Sequence, residues 1–117
     1  MKLNQADMEN ALQFLADTDV DFARAQALYN GLSEQSKTIK SVAYGNAGGM
    51  MMGGDKKITD KARDNAAYCS PAYVQHLAKV EVANMEYLTL RAQRSTKAII
   101  IDCWRSLNSA RSKGQVV

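Results

Sequence analysis

Proline is nearly absent from this sequence, occurring once in 117 residues, and histidine also occurs once. Nothing therefore interrupts the long stretches rich in Ala, Leu, Lys, Gln and Met, which favour helix over sheet. Two cysteines, Cys69 and Cys103, stand far apart without a CxxC pair or a neighbouring histidine. That excludes the usual spacings of a zinc site and points to reduced, partly buried thiols. His76 has no His or Cys four residues away, so a structural or surface role is expected for it. No HExxH, GxSxG or GxxxxGK[ST] motif is present, and no acidic cluster has metal-loop spacing. The chain is expected to be no enzyme and to need no cofactor, metal or small-molecule substrate. No apolar run approaches the roughly 20 residues of a membrane span. The opening MKLNQADMENAL has no apolar signal core. The expected location is a cytoplasm.

What is present is patterned. The length suits one domain, and 46% hydrophobic with 23% charged residues is the balance of a folded chain. Met8, Ala11, Leu15, Thr18, Phe22, Ala25, Tyr29, Leu32, Ser36, Ile39 and Ala43 recur at alternating intervals of three and four residues. Such a row lies along one face of a helix and forms a coiled-coil-like seam. Thr18 with Asp21 three residues on imitates a capping box. Helices are therefore expected over about 5–16 and 19–43, with one continuous helix through Thr18 as the alternative that keeps the same phasing.

Glycines gather in GNAGGMMMGGD, where a turn over 45–55 is expected because each costs a helix about 1 kcal/mol relative to Ala. Its three methionines suit either a tip that docks on a partner or a loop folded over the end of the helices. Thr59 or Asp60 can cap a short helix over about 60–69. Ser70 and Pro71 then open a last helix over 71–112, with Pro at the first position, where its missing N–H costs nothing. Its inward stripe is expected to be Val74, Leu77, Ala78, Met85, Leu88, Ala92, Ile99, Cys103, Leu107 and Ala110.

The fold class is thus all-α: a long antiparallel helical hairpin with short flanking helices. Tyr87, Leu90, Ile100, Ile101 and Trp104 exceed what that stripe accommodates. They are expected to form an oligomer interface between copies.

Charge is segregated. Asp7, Glu9, Asp17, Asp19, Asp21 and Glu34 oppose only Lys2 and Arg24 in the first third. Arg91, Arg94, Lys97, Arg105, Arg111 and Lys113 oppose only Asp102 near the end. This basic stretch, with Trp104 and Tyr87 as possible stacking platforms, suits the phosphates of single-stranded nucleic acid. A basic helix is more often a solvated face paired with an acidic neighbour, here the acidic first third.

Two segments, FLADTDVDFARAQA and YLTLRAQRSTKAIIIDCWRSLNSARSKG, resemble a family of small helical proteins of tailed bacteriophages. Their genes lie in recombination modules beside single-strand annealing proteins of the Erf and RecT types. The likeness covers about a third of the chain, with Trp104-Arg105-Ser106-Leu107 its most specific part; the central glycine-rich region departs from the family. The resemblance implies a non-enzymatic accessory of phage DNA recombination or replication in the host cytoplasm. Such a protein would bind a recombination protein, single-stranded DNA, or both. An inhibitor of a host nuclease or defence complex, with the acidic first third as a DNA mimic, is the alternative. A purely structural oligomer is the third.

Overall fold

A computed structural model of the chain describes residues 3–51, 59–112 and 114. The described residues form three helices, α1 (Gln5–Met51), α2 (Asp60–Tyr68) and α3 (Pro71–Ser112), and no strand. The all-α expectation holds, and the two long helices pack antiparallel.

The helix starts are chemically explicit. At α1, Asn4 Oδ1 accepts from the Asp7 amide at 2.9 Å, and Asp7 Oδ2 accepts from the Asn4 amide at 3.0 Å. This reciprocal pairing satisfies two donors that a helix start leaves open. Thr59 caps α2 by accepting from the Ala62 amide at 3.2 Å. Ser70 does the same for α3, accepting from the Tyr73 amide at 3.3 Å while donating to Ala67 O at 2.9 Å.

Two expectations about α1 are corrected. No break falls at Asp17–Asp19, because Thr18 does not cap a new helix. Its hydroxyl donates back to Phe14 O at 2.7 Å within the same helix. Asp17 Oδ1 accepts from Gln13 Nε2 one turn earlier. The helix also continues through Gly45, Gly48 and Gly49 to Met51, into the region expected as a turn. Extending a long helix adds a hydrogen bond per residue without a new nucleation cost, which offsets the poor propensity of glycine. The rest of the expected turn, 52–55, lies outside the described residues, as do the side chains of all three methionines.

Contacts group the chain into two compact units. The first comprises Met1–Ala25 and Glu86–Val117, and the second Gln26–Met85. In the first, Ala11 and Ile101 are buried, and Phe22 stacks against Tyr87 with ring centroids 5.6 Å apart. In the second, Ala43, Ala67, Ala83 and His76 are buried. Within this unit α2 lies against α1: Lys40 Nζ donates to the Tyr68 hydroxyl at 2.6 Å, and Arg63 donates to Tyr44 O at 3.2 and 3.3 Å.

The α1 row faces α3 as its spacing requires, but the inward stripe of α3 differs from expectation. Val74, Leu77, Met85, Leu88 and Ile99 are all at least 43% exposed, and Cys103 is exposed as well. The inward row is Tyr73, His76, Val80, Ala83, Tyr87, Leu90, Arg94, Lys97, Ile101 and Trp104, all buried or half-buried and alternating strictly by three and four. Sequence reasoning followed the most apolar stripe. The polar members of the true row are admissible because α1 supplies partners for them.

Gly31 lies within α1, and a Cβ built there meets nothing within 4 Å. Gly31→Ala should therefore stabilise the fold by about 0.5–1 kcal/mol, by reducing the freedom of the unfolded chain. Chemical denaturation checks this, and a lowered midpoint would contradict the helical assignment at Gly31.

Candidate interaction surfaces

In the first unit, most of the basic residues of α3 are not equally available. Arg94 is turned inward. Its Nη1 donates to Leu15 O at 2.9 Å and to Thr18 Oγ1 at 2.7 Å, and its Nη2 donates to Asp19 Oδ1 at 2.6 Å. The guanidinium also lies 5.1 Å from the Phe22 ring centroid. Asp19 is 65% exposed, so the ion pair itself contributes little; the half-buried bonds to Leu15 and Thr18 matter more. Lys97 is half-buried, with its ammonium 5.5 Å from the Phe14 ring centroid. The six-residue nucleic-acid site expected from sequence is therefore corrected: Arg94 and Lys97 belong to the helix seam. Arg91, Arg105 and Arg111 are exposed, and Lys113 lies outside the described residues.

The expected oligomer interface is redistributed in the same way. Ile101 is buried, and Tyr87, Leu90 and Trp104 are half-buried in the row that meets α1. Ile100 is half-buried beside that row. The surplus apolar surface of α3 lies on its opposite face.

In the second unit, His76 occupies the seam position that Arg94 occupies in the first. It is 5% exposed, with Nε2 2.7 Å from Leu32 O and 3.0 Å from Ser36 Oγ. A carbonyl oxygen can only accept, so the bond to Leu32 places the proton on Nε2. Ser36 also donates to Leu32 O at 3.3 Å. The structural role expected of His76 is thus a specific one, and neither Thr18 nor Ser36 is a defect in the α1 row.

Beside this seam the second unit has a hollow of about 560 Å³. Ile39, Val42 and Ala43 of α1, Ala66 of α2, and Pro71 and Ala72 of α3 provide its apolar lining. Thr38, Asn46, Cys69 and Ser70 complete it, and among the described residues none that lines it is charged. The size falls within the usual range for a small apolar ligand or for a few side chains of a partner. Val42 is 58% exposed, and exposed Val74 and Leu77 follow on α3 within the same unit. Sequence analysis missed this hollow, because it is made where the α2–α3 junction passes α1 rather than by any local motif.

Among the described residues, no three His, Cys, Asp or Glu side chains converge as a metal site. Both cysteines are exposed, which corrects the expectation of partly buried thiols. No described helix is long and apolar enough to cross a membrane.

The other polar surface of the second unit fastens α2. Tyr44 Oη donates to Asp60 Oδ1 at 2.9 Å, and Arg63 lies 4.2 Å from the Tyr44 ring centroid. The hydrogen bond to the Asp60 carboxylate raises the Tyr44 pKa above its ordinary value of 10.0, since ionisation would set two negative charges together. Lys40 is raised above 10.5, chiefly by its hydrogen bond to Tyr68.

Compared with known protein families, curated proteins and solved structures, the chain matches none.

The Tyr44 bond has a pH signature. A folded-state pKa above the unfolded one means that its contribution is intact below about pH 10 and is lost as pH rises through the raised value. Following the tyrosine rings by NMR should show Tyr44 ionising above 10.0, and Asp60→Asn should bring it down. An unchanged Tyr44 titration in Asp60→Asn would contradict the assignment.

Proposed function

We propose that this chain is a non-enzymatic accessory protein of phage DNA recombination or replication that works by holding a protein partner. The surface that supports this best is the hollow of the second unit, with Ile39, Val42, Ala66 and Pro71 in its wall. Its natural occupant is an apolar side-chain cluster on a partner helix, which would remove the hollow and the neighbouring exposed valine and leucine from water together. The recombination setting comes from the likeness of the segments 14–27 and 87–114 to the phage family. A host-cytoplasmic location belongs to the same proposal.

A second reading is favoured by Arg91, Arg105 and Arg111, which are exposed on α3 and engage none of the ion pairs found among the described residues. Arg91 and Arg105 stand two heptads apart, on one side of the helix, about 21 Å along its axis. Such a spacing suits several phosphates of a single strand.

The two readings separate in one set of measurements. Purified chain should bind a single-strand annealing protein of the Erf or RecT type. Val42→Glu should weaken that binding at least about tenfold, because it sets a charge in the hollow without disturbing a buried side chain. Binding that is absent, or indifferent to Val42→Glu, would refute the hollow as the docking site. A host nuclease as the specific, Val42-dependent partner would favour the inhibitor reading. Fluorescence anisotropy with labelled single strands at about 50 mM salt tests the arginines, since phosphate contacts are strongest at low salt. An affinity unchanged by Arg105→Ala with Arg111→Ala would dismiss them.

A further inference from the structure

In the first unit, the outward face of α3 is apolar and has a distinct relief. Leu88 is 46% and Ile99 61% exposed, with Ala92 and Ser95 exposed between them. These four positions are spaced by three and four residues, so they form one stripe on the side away from α1. Toward the C-terminal end of α3 the stripe runs into a hollow of about 550 Å³, lined by Leu3, Asp102, Cys103, Ser106 and Leu107. The stripe thus starts at the exposed side chain of Leu88 and ends, about 22 Å further along the helix axis, beside a recess that Leu3 at the start of α1 closes on one flank.

We propose that a second copy of this chain covers this face, with its α3 antiparallel to the first. If the two helices cross near Ser95 and Thr96, Leu88 of each copy enters the recess beside Cys103 of the other. Ala92 then lies opposite Ile99 in both halves of the interface, small against large. Arg91 of one copy comes alongside Asp102 of the other, again twice. Both residues are exposed, and neither engages the ion pairs found among the described residues. A parallel pairing would instead set Arg91 against Arg91, Asp102 against Asp102 and Ile99 against Ile99. Charge and size therefore select the same orientation. The interface is self-complementary and closes at two copies.

This face belongs to a different unit from the partner-binding hollow, so either proposal can fail without the other. Light scattering over a range of concentrations should give the mass of a dimer at the upper end. Ile99→Glu should give a monomer of unchanged helicity by circular dichroism. Arg91→Glu should raise the dimer dissociation constant by about tenfold, and adding Asp102→Arg should restore it. Orientation is read by oxidative cross-linking in a Cys69→Ser background. Leu88→Cys should link to Cys103 of the second copy, whereas Cys103 alone should not link to itself. A monomer at every concentration, a dimer indifferent to Ile99→Glu, or efficient Cys103–Cys103 linkage would each overturn the proposal.

Discussion

The structure depends on a small number of polar groups placed in an otherwise apolar seam. In the first unit Arg94 of α3 reaches the Leu15 carbonyl and the Thr18 hydroxyl of α1. In the second, His76 reaches the Leu32 carbonyl and the Ser36 hydroxyl. Each lock joins a donor on α3 to a carbonyl on α1 and to a hydroxyl one turn further along. Thr18 and Ser36 are about five helical turns apart on α1, and His76 and Arg94 are about five apart on α3. Within each unit the lock sets an antiparallel register of α1 against α3. Slipping α3 by a heptad would set Arg94 against Ala11 or Ala25, and His76 against Tyr29 or Ala43. A donor left unpaired in the seam costs more than a correct pair contributes, so the locks act mainly by penalising wrong registers. They matter the more because the apolar core is thin: among the described residues its buried members are four alanines and Ile101.

That choice of register has a consequence for function. Turning Arg94, Lys97 and His76 inward turns Val74, Leu77, Met85, Leu88 and Ile99 outward. Two of the six basic residues expected to meet nucleic acid, Arg94 and Lys97, are thereby committed to the fold. The apolar side chains expected to hold the fold are exposed instead. Arg91, Arg105 and Arg111 keep a positive edge on α3.

Much of the architecture was legible in the sequence. The α1 row, the caps at Thr59 and Ser70, and the bounds of α3 follow from spacing and from residue types with one dominant local chemistry. The face of α3 was misread because hydrophobicity was weighed above periodicity. The row Tyr73 to Trp104 keeps an unbroken three–four alternation, while the more apolar stripe does not. Thr18 was misread as a helix start because a hydroxyl can cap a helix or bond back into one, and only the packing of Arg94 decides between them. The hollow of the second unit was invisible in sequence, since its wall comes from three elements.

The central claim is that these polar pairs hold α1 and α3 in register, and a double-mutant cycle tests it most directly. Unfolding free energies would be measured for the native chain, Thr18→Val, Arg94→Met and the double variant. The account predicts a coupling of about 1 kcal/mol or more, because either single change strands the remaining partner. Additive effects, within about 0.3 kcal/mol, would show that Arg94 and Thr18 do not depend on each other and would contradict it.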